Sequence, residues 1–160
     1  MSKEKAPQTP AVRALKRSGI PFSLHRYNYE AQGGTKVAAR ELGVDEHTVV
    51  KTLVFEDEQC EPLLVLMHGD NRVSIKSLAR ALGAKTIRAC DPKSAHRHTG
   101  YVVGGISPFG TTKRLRVFIE RSILESPRIY INAGKRGLLA EVSPKDLARK
   151  LAPIHVDVAI

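Results

Sequence analysis

One lysine occupies a position where a charge is unusual. Lys51 lies within the apolar run at residues 49–55, and strand alternation would place it on the same face as Leu53 and Phe55. A lysine on an apolar face can bind a phosphate or carboxyl oxygen in a pocket of low dielectric constant. The alternative is a lysine that extends to solvent from a strand end or forms half of a buried ion pair.

Two glycine-rich segments follow Lys51 in the chain. Residues 100–108 contain Gly104, Gly105 and Ser107, and residues 132–137 run from Asn132 through Gly134 and Lys135. Glycine lets a ligand approach the main chain, so both segments could present backbone N–H groups to an oxygen atom. Neither has the spacing of a P-loop or of a dinucleotide-binding fingerprint, and a tight turn is the alternative for each.

Conventional catalytic motifs are missing from the sequence. It has no Gly-x-Ser-x-Gly elbow and no His-Glu-x-x-His pair. His96 and His98 would not face one another on a helix, and we expect them to be surface or structural residues. Cys60 follows an acidic run that would raise its thiol pKa, and Cys90 ends an apolar strand. The cysteines lack metal-ligand spacing, so we expect no metal and no cofactor.

Length and charge limit the class of protein. The 160 residues favour one domain, and 26 Lys and Arg against 16 Asp and Glu give a net charge of +10. That excess favours polyanionic partners, although a generic basic surface is the alternative. No apolar run resembles a membrane span or a signal peptide, so we expect a cytoplasmic protein without membrane attachment. The oligomeric state is left open.

The order of apolar runs and turn residues predicts one mixed α+β domain. We expect a disordered tail at residues 1–8 and a domain at 9–160, whose curled, barrel-like sheet is largely antiparallel and flanked by short helices. Helix starts are expected after Thr9, Ser74, Asp91 and Ser143, and helix ends at Gly19, Gly43 and Gly83. Strands are expected at residues 20–29, 49–55, 62–67, 85–90, 101–106, 114–120, 128–132 and 138–142.

Several of these segments together resemble a known family. Val50-Lys51-Thr52-Leu53, the motif from Thr99-Gly100-Tyr101 to Ser107-Pro108-x-Gly110, and Gly134-Lys135-Arg136-Gly137-Leu138 occur in this order. The combination resembles the YbaK/EbsC family of aminoacyl-tRNA deacylases, relatives of the editing domain of bacterial prolyl-tRNA synthetase. The resemblance implies release of a wrong amino acid from tRNA(Pro), and cysteine is the amino acid in the branch that the sequence looks closest to. There the substrate's own thiol is thought to attack its ester, so the enzyme supplies position and electrostatics.

The resemblance also implies roles for individual residues. Lys51 matches the essential lysine of the family, which would hold the terminal phosphate or the ester oxygens. Aminoacyl-tRNA, through the tRNA(Pro) acceptor end, is the implied partner, together with prolyl-tRNA synthetase. The remaining matched positions would bind substrate: Tyr27, Gly104, Gly105, Ser107, Asn132, Gly134 and Lys135.

Two positions depart from the cysteine-type pattern. Such members commonly have a serine where this sequence has Asn132 and an aspartate where it has Leu139. A more apolar pocket wall would suit another small side chain, such as alanine. The open alternatives are therefore a deacylase for Ala-tRNA or another small aminoacyl-tRNA, and a non-catalytic module that binds tRNA or nucleotides.

Overall fold

A computed structural model describes residues 7–160, so most of the predicted tail at residues 1–8 lies outside the described residues. The described part forms one mixed α/β domain, as predicted. Its helices are α1 (Pro10–Ser18), α2 (Gly34–Leu42), α3 (Ile75–Leu82), α4 (Pro92–Thr99) and α5 (Pro144–Leu151). Its strands are β1 (Ser23–Arg26), β2 (Val49–Asp57), β3 (Pro62–His68), β4 (Ile87–Ala89), β5 (Arg116–Glu120), β6 (Ile129–Lys135), β7 (Leu138–Val142) and β8 (Ile154–Val156).

The helix ends follow the signals in the sequence. The side chains of Thr9, Ser74 and Asp91 each accept a hydrogen bond from the first turn of the helix that follows. Gly19 and Gly83 adopt left-handed conformations directly after α1 and α3, where a glycine carries no steric penalty. Ser143 also precedes a helix, but its side chain makes no capping hydrogen bond.

The sheet is mixed and open within residues 7–160. Its strand order is β1-β7-β6-β2-β3-β5-β8, and β4 pairs with β2. Four pairings are antiparallel, including the predicted β2–β3 hairpin, and three are parallel. Because β1 and β8 end the order without pairing to each other, the curled sheet does not close into a barrel.

Two predicted strands differ from the structure, and one observed strand was not predicted. Residues 101–106 form turns rather than a strand, since Gly104 has a φ of +92° that interrupts an extended chain. The first strand is limited to Ser23–Arg26, because the chain after Arg26 leaves the sheet in an irregular segment that leads into the turn at residues 31–33. Strand β8 was not expected from the sequence, because three residues after a helix are too short to give an alternating pattern.

Both faces of the sheet centre are covered. Every residue from Leu63 to Met67 on β3 is fully buried, so this strand lacks the polar alternation of a half-exposed strand. Leu15 of α1 and Leu147 of α5 belong to the core on one face. On the other face, Leu78 of α3 packs in a second core, and Ala38 of α2 packs in a third.

We predict that Thr9 fixes α1 to the sheet. Its hydroxyl accepts from Val12 N at 3.0 Å and donates to the carbonyl oxygen of Ala133 in β6 at 2.5 Å. Thr9→Ala should lower the free energy of unfolding by about 1–2 kcal/mol, because a cap is lost and a buried carbonyl loses its donor. Urea denaturation measures this. Thr9→Ser keeps the hydroxyl and should stay close to wild type, and equal losses in the two variants would contradict this role.

Candidate functional site

Lys51 lies in β2, which is central in the sheet. Its Cα partner on β3 is Met67, and on the other edge β2 pairs in parallel with β6 at Val50 and Ile131. The ladder ends there, one residue before Lys51 and Asn132. Because side chains alternate along a strand, the predicted catalytic lysine and this predicted binding residue lie on the same face of the sheet, directly after the last paired residues of their strands.

The ammonium group of Lys51 is half-buried among polar groups. Its Nζ donates a hydrogen bond to the carbonyl oxygen of Gly69 at 3.3 Å. Burial lowers the pKa of Lys51, while the carboxylates of Glu46 and Asp70 oppose that shift. The side chain is therefore not a solvent-exposed surface lysine, and within residues 7–160 it forms no tight buried ion pair.

One edge of β2 is divided between two partners. β6 pairs with it at Val49 and Val50, and β4 pairs with it from Phe55 to Asp57. Between them, no strand within residues 7–160 pairs with this edge at residues 51–53. The main chain beside Lys51 therefore borders a gap in the sheet.

Asn132 holds two loops together. Its Oδ1 accepts from Gly134 N at 2.7 Å and from Lys135 N at 3.1 Å. Its Nδ2 donates to the carbonyl oxygens of Gly104 at 3.0 Å and Lys135 at 3.2 Å. With all of these bonds made inside the protein, Asn132 fixes the shape of the site.

Gly104 and Gly105 allow the 102–105 turn to lie against the β6–β7 loop. A Cβ on Gly105 would lie 2.9 Å from Arg136 N, and one on Gly104 would lie 2.9 Å from the Tyr29 hydroxyl. The two glycine-rich segments singled out in the sequence therefore form one wall.

Tyr29 and Arg136 complete this wall, and neither was predicted from the sequence as a binding residue. The Arg136 guanidinium lies 5.2 Å from the centre of the Tyr29 ring, and its Nε donates to Val103 O at 3.0 Å. Two sequence features could have indicated them: a cation in the Gly134–Gly137 loop and a tyrosine two residues after Tyr27.

Tyr27 and Lys135 line a cleft of about 490 Å³ beside the wall. Burial raises the pKa of the Tyr27 phenol. Lys51 is not among the lining residues, so the cleft and the lysine are separate parts of the candidate site. The other lining residues are Pro7, Arg26, Asn28, Glu41, Arg136, Gly137 and Leu138.

Ser107 and Gly134 have supporting contacts. Ser107 is fully buried, and its hydroxyl accepts a hydrogen bond from Phe109 N at 3.1 Å. Gly134 has a φ of +92°, and a Cβ there would lie 2.7 Å from the Tyr101 ring. Both residues stabilise the conformation of the loops, and neither lines the cleft.

The cysteines do not provide a nucleophile beside Lys51. Burial and the Glu56 carboxylate raise the pKa of Cys90 to about 11, so this thiol stays protonated at neutral pH. Cys60 is exposed in the turn between β2 and β3.

Comparison with known proteins identifies the family. The family model described as "Aminoacyl-tRNA editing domain" matches residues 30–150, which contain Lys51 and both glycine-rich segments. The chain belongs to this family. The predicted resemblance is confirmed.

Relatives of this editing domain include a protein of similar length and a much longer ligase. The domain is 29% identical to "Putative Cys-tRNA(Pro)/Cys-tRNA(Cys) deacylase EbsC" of Enterococcus faecalis, over 91% of this chain and 90% of the relative. It is 30% identical to a proline–tRNA ligase of Streptococcus equi subsp. zooepidemicus, over 71% of this chain and 19% of the ligase.

The fold is shared with solved structures. A crystal structure of a hypothetical protein, 26% identical, superposes with a TM-score of 0.87 over 94% of this chain and 99% of that chain. Within residues 7–160 of the editing domain, every helix is too short or too polar to cross a membrane.

We predict that Gly105 is required for the close approach of the two loops. Gly105→Ala would place a methyl group against backbone atoms that cannot rotate away, and should cost about 1–3 kcal/mol of unfolding free energy. Val102 lies in the same loop with its side chain half-exposed. Val102→Ala is therefore the matched control and should change stability by less than about 0.5 kcal/mol. Equal effects, measured by urea denaturation, would contradict the close packing.

Proposed function

We propose that this editing domain is a trans-acting deacylase that removes a wrongly attached amino acid from tRNA, with Cys-tRNA(Pro) as its substrate. The observation that carries the proposal is the half-buried Lys51 at a gap in the sheet, beside a wall of backbone held by Asn132. The relatives' names, which include a Cys-tRNA deacylase and a proline–tRNA ligase, support the same substrate class.

Lys51 would supply the electrostatic part of the reaction. Its ammonium would hold the terminal phosphate or the ester oxygens, and would offset negative charge that develops as the ester breaks. Such an interaction is stronger in a partly desolvated site than in water. The hydrogen bond to Gly69 O aims the ammonium group before substrate binds.

The substrate would bring its own nucleophile. The cysteine sulfur attacks its ester carbonyl carbon, the bond to the ribose oxygen breaks, and the thiol proton passes to that oxygen, which leaves a thiolactone and a free tRNA hydroxyl. The protein then has to hold the thiol close to the carbonyl. The raised pKa of Cys90 and the exposed turn position of Cys60 support this division of roles. Attack by water is the hydrolytic alternative.

Basic side chains at the cleft suit the acceptor end of a tRNA. Arg26, Lys135 and Arg136 line it with Tyr27, and the whole chain carries a net charge of +10. Phosphate contacts of this kind give affinity without sequence information, so tRNA identity could be read by a partner such as prolyl-tRNA synthetase.

Leu139 affects the choice of amino acid indirectly. It is buried and packs with Ala38 and Ala39 of α2 and with Val49. Leu139, which stands where cysteine-type members commonly have an aspartate, thus packs beneath α2. A deacylase for Ala-tRNA or another small aminoacyl-tRNA is the second candidate function. The apolar Leu139 in place of an acid favours it.

Deacylation of Cys-tRNA(Pro) and Ala-tRNA(Pro), measured side by side, tests the proposal. Wild type should release cysteine, and Lys51→Ala should lower the rate by about 100-fold or more, because the charge at the reacting ester is lost. Lys76→Ala removes the same charge from the exposed face of α3 and should keep the wild-type rate.

Thermal unfolding of each variant establishes that it is folded. Release of alanine alone would keep the deacylase and overturn the cysteine assignment. Bound tRNA with no release of either amino acid would overturn the deacylase and support a non-catalytic binding module.

A further inference from the structure

Three side chains with metal-ligating atoms meet at the far end of β2. Glu56, Cys90 and His98 each place one ligand atom within 4.8 Å of the other two. Glu56 is five residues from Lys51, about 16 Å along the strand, so the cluster is distinct from the candidate editing site.

The three residues come from separate elements that the fold brings together. Glu56 of β2 is the register partner of Arg88 on β4. Cys90 directly follows β4, and its N–H bonds to Val54 O at 3.0 Å. His98 lies in the last turn of α4. Cys90 and His98 are eight residues apart, which is outside the usual spacing of zinc motifs, so the sequence had no recognisable signal.

His98 presents an unpaired nitrogen to the cluster. Its side chain is only 8% exposed, and its Nε2 has no hydrogen-bond partner within residues 7–160. That nitrogen lies 4.0 Å from Glu56 Oε2, beyond hydrogen-bond distance. A buried polar atom without a partner is costly. In the tautomer with the ring hydrogen on Nδ1, this nitrogen offers its lone pair to a metal ion.

Glu56 is already oriented toward the cluster. Its Oε1 accepts a hydrogen bond from Arg88 Nε at 2.8 Å. Its Oε2 accepts a hydrogen bond from the Cys90 thiol at 3.7 Å and lies 4.0 Å from His98 Nε2. Arg88 uses the other oxygen, so Oε2 can act as a ligand once the Cys90 thiol has given up its proton.

We propose that Glu56 Oε2, Cys90 Sγ and His98 Nε2 bind a zinc ion, with a fourth position open to solvent. Ordinary zinc–ligand bond lengths in a tetrahedron place sulfur and oxygen about 3.6 Å apart, and nitrogen and oxygen about 3.3 Å apart. The sulfur–oxygen distance of 3.7 Å already fits, and the imidazole nitrogen at 4.0 Å must move closer to the carboxylate oxygen. On binding, the Cys90 thiol gives its proton to solvent and coordinates as a thiolate.

Access to the site is available from one side. A cleft of about 490 Å³ borders Glu56 and His98 and is otherwise lined by Cys60, Arg88, Ala89, Asp91, Ser94 and Arg97. Three protein ligands with an accessible fourth position are the arrangement in which zinc keeps a water or binds an exogenous ligand.

Lys113 opposes metal binding through the other nitrogen of the ring. Its Nζ lies 3.2 Å from His98 Nδ1. An ammonium group only donates, so this contact makes Nδ1 the acceptor and keeps the hydrogen on Nε2. Coordination needs the opposite tautomer, and the exposed Lys113 side chain must turn away to allow it.

A bound ion would also stabilise the segment that leads from α4 to Gly104 in the wall. It would join β2, the end of β4 and α4, and α4 is followed within five residues by Gly104. The domain should therefore unfold at a higher temperature with zinc than without it.

Titration of the chelator-treated protein with Co²⁺ tests the site without tRNA. Wild type should show thiolate-to-cobalt charge-transfer absorption that saturates at one equivalent and is displaced by Zn²⁺. Cys90→Ser should lose the absorption, while Cys60→Ser, the matched control at the exposed cysteine, should keep it. Glu56→Gln should weaken Co²⁺ binding.

Lys113→Met distinguishes the proposed coordination from an unspecific thiol contact. It should tighten Co²⁺ binding by about tenfold, because the ring is released to the competent tautomer. No charge-transfer absorption in wild type, or absorption that Cys90→Ser retains and Cys60→Ser loses, would overturn the proposal. The Co²⁺ titration does not measure deacylation, so a negative result would overturn the zinc site without contradicting the proposed deacylase.

Discussion

Strand β2 has one partner along one edge and two short partners along the other. β3 pairs with it from Val50 to Glu56, whereas β6 pairs only at its start and β4 only at its end. The intervening residues 51–53 carry the lysine on which the proposed chemistry depends. The Thr52 hydroxyl on this stretch is buried and has no partner within residues 7–160. Side chains alternate along a strand, so this hydroxyl lies on the face opposite Lys51, and on the lysine's side only main-chain groups of this stretch could meet a ligand.

The proposed deacylase relies on position more than on a reactive side chain. Both atoms of the Asn132 amide form hydrogen bonds within the protein. Gly105 lets two stretches of main chain lie in contact. The resulting wall presents fixed dipoles beside a fixed cation, and such groups need little reorganisation when charge develops. A substrate that carries its own thiol would complete the reaction with only these elements.

The sequence was sufficient for the elements with local signals and insufficient for contacts between distant segments. Helix α1 begins after Thr9 and ends at Gly19 as predicted, because a capping side chain and a left-handed glycine act within a few residues of the helix end. Lys51 was identifiable because a charge interrupts an apolar run. The proximity of Glu56 to His98, and of Tyr29 to Arg136, depends on how strands and loops meet across the fold, which no local pattern encodes. Residues 101–106 had an apolar strand pattern, but a glycine with positive φ made them a turn.

The central claim is that Asn132 acts by fixing the wall against which Lys51 holds the ester. A double-mutant cycle on the rate of Cys-tRNA(Pro) deacylation tests it, with Lys51→Ala, Asn132→Ala and the double variant. Asn132→Ala removes the hydrogen bonds to Gly104, Gly134 and Lys135 without adding a charge near the ammonium. Non-additive losses, with Asn132→Ala costing little once Lys51 is gone, are the expected result. Additive losses in variants that unfold at similar temperatures would contradict this role of Asn132.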